Sequence, residues 1–166
     1  MPEEKDQAKD QAEAQVEGIR MMIDRFRHAN ACNGGEDCKM ADKEILEGMG
    51  LYYEEGRKAT DEERETYHDL DEARQNIQDD PLSVEVRSDW HTPGEPDNSG
   101  PYEFTILLCT GGPAVRIIGY LDEHAYPERA RVEYQDWGTP WTEYFIKDPE
   151  DRDAVLLYAQ EFYYGE

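Results

Sequence analysis

Three side chains with metal-binding or nucleophilic chemistry lie close together in one segment of the chain. His28, Cys32 and Cys38 carry imidazole and thiol groups, which are ligands that zinc prefers in proteins. Zinc sites usually combine two tightly spaced pairs of ligands, such as Cys-x-x-Cys. This segment has one loose cluster without a fourth ligand nearby, and Glu36 and Asp37 are poor substitutes. The sequence favours a polar loop with two reduced thiols, and leaves open whether the three residues bind a metal.

Cys109 is the third cysteine, and it precedes the glycine pair Gly111-Gly112. A cysteine beside a glycine turn could act as a nucleophile whose oxyanion is held by backbone amides. Its base would have to be His91 or His124, and neither spacing fits a catalytic signature. A core cysteine at the end of a strand is the expected alternative. The glycine pair also lacks the remainder of a phosphate-binding loop, so we expect no cofactor.

Carboxylate pairs are the other candidates for catalysis. Glu133 and Asp136 form the best pair, and Asp97 and Glu143 could join them across a sheet. Because the chain holds 40 Asp and Glu residues, such pairs arise often, and a polar sheet face explains them. We therefore predict that the protein is not an enzyme.

An aromatic corner, residues 134–145, combines Trp137 and Trp141 with a Gly-Thr-Pro turn and two acids. Large aromatic side chains with a polar edge are common anchors of protein interfaces. They are also ordinary core residues of a sheet packed on a helix, so both interpretations stay open. If the corner is an interface, its partner-binding residues are Asp136, Trp137, Trp141 and Glu143.

The N-terminal half must position the first cluster, and its pattern is helical. Apolar residues from Val16 to Phe26 are spaced by three or four residues, which predicts a helix that ends at Asn33. A second helix is predicted from about Met40 to Glu55. The third has Thr60 as its N-cap, in a capping box with Glu63, and is expected to stop at 79–81.

The C-terminal half changes to strand periodicity. Residues 82–90 alternate between apolar and polar types, with Leu82, Val84, Val86 and Trp90 on one side. Further strands are predicted at 102–110, 114–121 and 129–137, and a last helix begins at the cap Asp148. The predicted fold is α+β: N-terminal helices followed by a four-stranded antiparallel sheet with a C-terminal helix packed on one face. The predicted domains are a helical acidic region, 1–80, and a ββββα sheet domain, 81–166.

The net charge of −23 excludes several classes of partner. Residues 1–80 hold 23 acidic and 11 basic residues, and residues 81–166 hold 17 and 6, so the charge covers the whole chain. Direct binding of nucleic acid or of an anionic membrane is disfavoured, because both are negatively charged. No apolar run approaches the roughly 20 residues of a membrane span, and the acidic N-terminus is unlike a signal peptide. We expect a cytoplasmic protein.

An acidic stripe is predicted on the third helix, because Glu62, Glu65, Asp69 and Glu72 follow a spacing of three, four and three. Like charges at this spacing cost stability, which favours a binding role for these four residues. A generic solvated helix face is the alternative.

Residues 81–166 resemble small acidic proteins of bacteriophages, prophages and other bacterial mobile elements. The resemblance rests on residues 81–88, on 107–116 and on the run from Tyr134 to Tyr144. Such elements encode inhibitors of host defence, including anti-CRISPR proteins and DNA mimics. The resemblance implies a similar role here, in the cytoplasm of the host cell if the chain is phage-encoded.

Together these patterns predict an inhibitor that binds a basic nucleic-acid-binding protein or complex, such as a CRISPR effector, through an acidic, DNA-mimicking surface. The alternative is a non-catalytic structural or regulatory interaction module of a salt-adapted or mobile-element source. In that case the acidity serves solubility and the aromatic corner is the interface. The sequence leaves open whether the chain forms a homodimer.

Overall fold

The computed structural model describes residues 2–32, 34, 38–95 and 100–165, with side chains from Gln7 onwards. These residues form an α+β fold with an antiparallel sheet and a C-terminal helix, as predicted. The helices are α1 (Pro2–Ala31), α2 (Asp42–Gly48), α3 (Asp61–Tyr67), α4 (Leu70–Asp79) and α5 (Pro149–Gln160). The strands are β1 (Ser83–Ser88), β2 (Pro101–Cys109), β3 (Ala114–Leu121), β4 (Pro127–Gln135) and β5 (Thr142–Tyr144). No helix in the described part of the chain combines the length and apolar character needed to cross a membrane.

The chain divides into two compact units. The sheet unit comprises Met1–Arg20 and Asp80–Glu166, and the helical unit comprises Met21–Asp79. Helix α1 therefore contributes residues to both units, whereas α2, α3 and α4 lie in the helical unit.

The sheet unit is built on a meander in which each strand pairs with the next, in the order β1-β2-β3-β4-β5. Alternate residues of the central strands are buried, among them Phe104 and Ile106 in β2 and Ile117 in β3. Helix α5 packs against β4. The hydroxyl of Tyr158 in this helix donates a hydrogen bond to Asp80 at 2.7 Å.

The prediction of four strands is wrong, because the short strand β5 pairs with β4 as a fifth. Three residues are too few to show strand periodicity. The predicted apolar face of the first strand is also only partly correct. Trp90 lies beyond the end of β1 and is 99% exposed, and Leu82 is 60% exposed. These positions lie at the edge of the sheet, where β1 has one neighbouring strand.

The predicted second helix is shortened to α2, because the chain adopts a Schellman motif after it. Gly50 has a left-handed φ of +72°, and the amide of Leu51 donates to the carbonyl of Leu46 at 2.8 Å.

The prediction of one continuous third helix is wrong, since α3 ends at Tyr67 and α4 begins at Leu70. Asp69 lies at the break, where its side chain accepts a hydrogen bond from the amide of Glu72 at 3.1 Å. A side chain that caps a new helix in this way competes with continuation of the preceding one.

Candidate functional site

A cluster of two histidines and two cysteines lies in the helical unit. The donor atoms of His28, Cys32, Cys38 and His68 all lie within 4.8 Å of one another. The Nε2 atoms of the two histidines are 3.0 Å apart. The sulfur atom of Cys38 lies 3.6 Å from Nε2 of His28 and 3.4 Å from Nε2 of His68. We name these four residues the Cys2His2 cluster. The expectation that no fourth ligand exists near the three sequence-predicted residues is wrong.

His28 and Cys32 are positioned by the end of α1. They are four residues apart, a spacing that places side chains on one face of a helix. The amide of Cys32 donates to the carbonyl of His28 at 2.8 Å, which continues the helical hydrogen bonding to this residue.

Gly34 lies close to His68. Its φ of +77° lies in the left-handed region, which favours glycine. A Cβ atom added at this position would lie 2.9 Å from the Cγ atom of the His68 ring. Both the backbone conformation and the lack of room for a Cβ atom beside the His68 ring therefore favour glycine at this position.

His68 follows α3 directly and is oriented by a backbone hydrogen bond. Its Nδ1 atom lies 2.7 Å from the carbonyl oxygen of Arg64. Since a carbonyl only accepts, Nδ1 carries the hydrogen, and in the neutral ring Nε2 keeps a lone pair directed into the cluster. Histidines that bind metals usually donate their second ring N–H in this way.

Arg25 fastens the end of α3 to α1. Its guanidinium is 3% exposed and donates to the carbonyls of Tyr67 at 3.2 Å and Thr66 at 2.8 Å. These carbonyls lie at the C-terminal end of α3, where intrahelical partners are missing. Arg25 precedes His28 by three residues on α1, so this contact helps to bring the two histidines together.

The electrostatic environment keeps His28 neutral. Burial lowers the pKa of its imidazole below the usual value, the nearby His68 lowers this pKa further, and Glu44 opposes both effects. A neutral imidazole has the free lone pair that a metal ligand needs.

The four acidic residues predicted as one stripe lie on different elements. Glu62 and Glu65 are exposed on α3, and neither forms an ion pair with the residues that the structure describes. Asp69 caps α4, and a carboxylate oxygen of Glu72 lies 3.6 Å from the guanidinium of Arg25. The single stripe is thus replaced by an exposed pair on α3 and two residues with local structural contacts. Their role in partner binding stays a prediction.

In the aromatic corner, the ring of Trp141 is packed against a neighbouring side chain, whereas the ring of Trp137 is exposed. The ring of Trp141 lies under the guanidinium of Arg116, with 4.0 Å between the ring centroid and the Cζ atom. Trp137 is 81% exposed. Asp136 accepts a hydrogen bond from the amide of Trp137 at 2.8 Å, which stabilises the turn. Glu143 is half-buried and lies opposite Glu133 in the register of β4 and β5.

The described residues of the catalytic alternatives have other local contacts. Glu133 accepts two hydrogen bonds from Arg116 at 2.9 and 2.7 Å and one from Arg131 at 3.4 Å. The side chain of Asp136 accepts a hydrogen bond from the amide of Trp137. Burial raises the pKa of the Cys109 thiol, which disfavours the reactive thiolate. Asp97, Glu36 and Asp37 lie outside the described residues.

No protein-family model, curated protein or solved structure matches the chain.

Proposed function

We propose that this protein is a non-catalytic inhibitor of a bacterial nucleic-acid-handling defence protein, for example a CRISPR effector. It binds the basic nucleic-acid groove of that protein through the acidic surface of α3. The observation that carries the proposal is the dense, exposed negative charge of this helix within a chain of net charge −23. The resemblance of residues 81–166 to mobile-element proteins supports the same class of function.

The charge spacing of α3 is close to that of one strand of DNA. The helix contains four acidic residues and one basic residue in seven positions. At about 1.5 Å per residue, this is about 3.5 Å of helix axis for each net negative charge. One strand of B-DNA carries one phosphate for about 3.4 Å of axis. Arg64, the one basic residue of α3, pairs with Asp42, so its charge is directed towards a carboxylate of the same unit.

A groove lined with Lys and Arg would recognise this surface for physical reasons. Opposite charge accelerates encounter over long range. Binding would also neutralise the same basic side chains that hold phosphates, so the inhibitor and the nucleic acid would compete. The exposed pair Glu62 and Glu65 is the centre of this surface, because neither carboxylate is used by an ion pair with described residues.

The test is affinity capture from a lysate of bacteria that contain CRISPR machinery, with the full chain immobilised. We expect capture of a nucleic-acid-binding complex that excess duplex DNA releases. The double variant Glu62→Gln/Glu65→Gln should capture clearly less of this complex, in line with about 10-fold weaker binding. Its matched control is Glu54→Gln/Glu55→Gln, which removes two exposed charges from the same unit and should retain it. Equal capture by both variants would contradict the assignment to α3. Captured proteins that excess duplex DNA does not release would contradict binding in a nucleic-acid groove.

The second candidate function is an interaction module of a salt-adapted source that uses the aromatic corner. The exposure of Trp137 (81%) and Phe145 (74%) favours it, since exposed aromatic side chains are typical interface anchors. This candidate predicts that folding requires high salt, because salt screens the repulsion among the carboxylates. A full far-UV circular dichroism signal in dilute buffer would count against it.

A further inference from the structure

We propose that the Cys2His2 cluster is a structural Zn²⁺ site, bound by His28, Cys32, Cys38 and His68. The ion would join the end of α1, Cys38 and the end of α3 within the helical unit. This inference is independent of the proposed inhibitor function.

The distances between donor atoms fit tetrahedral zinc. With Zn–N bonds of about 2.0–2.1 Å and Zn–S bonds of about 2.3 Å, a tetrahedron places two nitrogens about 3.3 Å apart and a nitrogen and a sulfur about 3.6 Å apart. The corresponding distances here are 3.0 Å between the histidine nitrogens and 3.6 and 3.4 Å from the Cys38 sulfur. His28, Cys38 and His68 are therefore already close to the separation that the ion requires, and the sulfur of Cys32 lies within 4.8 Å of their donor atoms.

The orientation of the rings favours a cation between them. The hydrogen bond from Nδ1 of His68 to Arg64 leaves the Nε2 lone pair facing Nε2 of His28, 3.0 Å away. A cation between the rings would take one lone pair from each, with His28 in the tautomer that carries its hydrogen on Nδ1.

The donor set selects the metal. Two thiols and two imidazoles suit zinc, whereas calcium and magnesium prefer oxygen ligands. Four protein ligands complete a tetrahedron and leave no position for substrate, which is typical of structural rather than catalytic zinc.

The helical unit is of a size at which such an ion contributes to folding. Its 21–79 segment is about 60 residues long, and domains of this size are marginally stable because they bury a smaller share of their surface than larger domains do. Its buried apolar residues are few, including Ile23, Ile45, Leu46 and Ile77. Because the ligands come from separate elements, metal binding and folding of this unit would be coupled.

The test is the metal content and the Co²⁺ spectrum of the full chain, purified under reducing conditions. We expect one zinc per chain by inductively coupled plasma mass spectrometry. After chelation, Co²⁺ should give the intense visible d–d bands of a tetrahedral site together with thiolate charge-transfer bands, and Zn²⁺ should abolish both.

Ligand variants assign the site. Cys38→Ser and His68→Ala should each weaken Co²⁺ binding by more than about 10-fold, because even the loss of an outer hydrogen-bond partner of a metal ligand costs 10- to 100-fold. The controls Cys109→Ser and His124→Ala remove the same residue types from the sheet unit and should bind as the wild-type chain does.

Two results would overturn the proposal. One is a folded wild-type chain that contains no zinc and gives no tetrahedral Co²⁺ spectrum, a result that does not depend on whether any variant folds. The other is Co²⁺ binding that survives unchanged in Cys38→Ser and His68→Ala.

Discussion

Replacement of Arg25 by alanine should destabilise the helical unit far more than replacement of any exposed arginine of α1. Arg25→Ala removes the two hydrogen bonds that the guanidinium donates to the carbonyls of Thr66 and Tyr67. It also removes the 3.6 Å contact with Glu72, which contributes little because that carboxylate is substantially exposed.

The expected magnitude follows from the two hydrogen bonds. Each hydrogen bond to a charged group contributes about 1.5–3 kcal/mol, so their loss should lower the free energy of unfolding by about 3 kcal/mol or more. For a domain of this size, 1 kcal/mol corresponds to a shift in Tm of about 4–8 °C. The Tm of the helical unit should therefore fall by at least about 12 °C.

The assay is urea and thermal unfolding followed by far-UV circular dichroism, with Arg27→Ala as the matched control. Arg27 is exposed on the same helix, and such surface substitutions usually change stability by less than about 0.5 kcal/mol. If Arg25→Ala and Arg27→Ala unfold alike, the reasoning that Arg25 joins α1 to α3 is refuted.

Two further predictions concern a glycine and a tyrosine. Gly34→Ala should lose more stability than Gly50→Ala and should also weaken Co²⁺ binding in a metal titration. Both glycines have positive φ, which costs an alanine about 1–2 kcal/mol, but only at Gly34 would the new Cβ displace the ring of His68. The wild-type chain should lose stability as the pH rises above about 10, because burial raises the pKa of Tyr158 above its usual value and the hydrogen bond to Asp80 raises it further. Tyr158 then loses its proton at a lower pH in the unfolded chain than in the folded one. In urea titrations between pH 9 and 11, the free energy of unfolding of Tyr158→Phe should therefore fall less with pH than that of the wild-type chain. An equal fall in both proteins would contradict this assignment.

Local signals explain which elements could be predicted from the sequence. The capping box of Thr60 and Glu63 is confirmed by hydrogen bonds of 3.1 Å in both directions. Asp148 caps α5 by accepting from the amide of Glu150 at 2.9 Å. The connection between β2 and β3, residues 110–113, contains the glycine pair Gly111-Gly112. Each of these features depends on residues within a few positions of one another, so the sequence displays it directly.

Features that depend on distant contacts were not predictable in the same way. The break between α3 and α4 depends on Asp69, and the end of α3 also depends on Arg25, which lies on another helix. His68 joins the cluster only because α3 packs on α1. Since His68 lies far from Cys38 in the sequence, its place as the fourth ligand could not be predicted from spacing. The four histidines of the chain were the available signal, since each was a candidate partner for the two cysteines.

Competition with duplex DNA is the measurement that tests the inhibitor function most directly. The nucleic-acid-binding complex captured from lysate is purified, and its binding of labelled target DNA is measured against increasing concentrations of this protein. We expect the wild-type chain and Glu54→Gln/Glu55→Gln to displace the DNA fully. We expect Glu62→Gln/Glu65→Gln to need about 10-fold higher concentration, equivalent to about 1.4 kcal/mol. DNA binding that is unaffected by the wild-type chain, or equal potency of the two variants, would contradict the claim that α3 occupies a nucleic-acid groove.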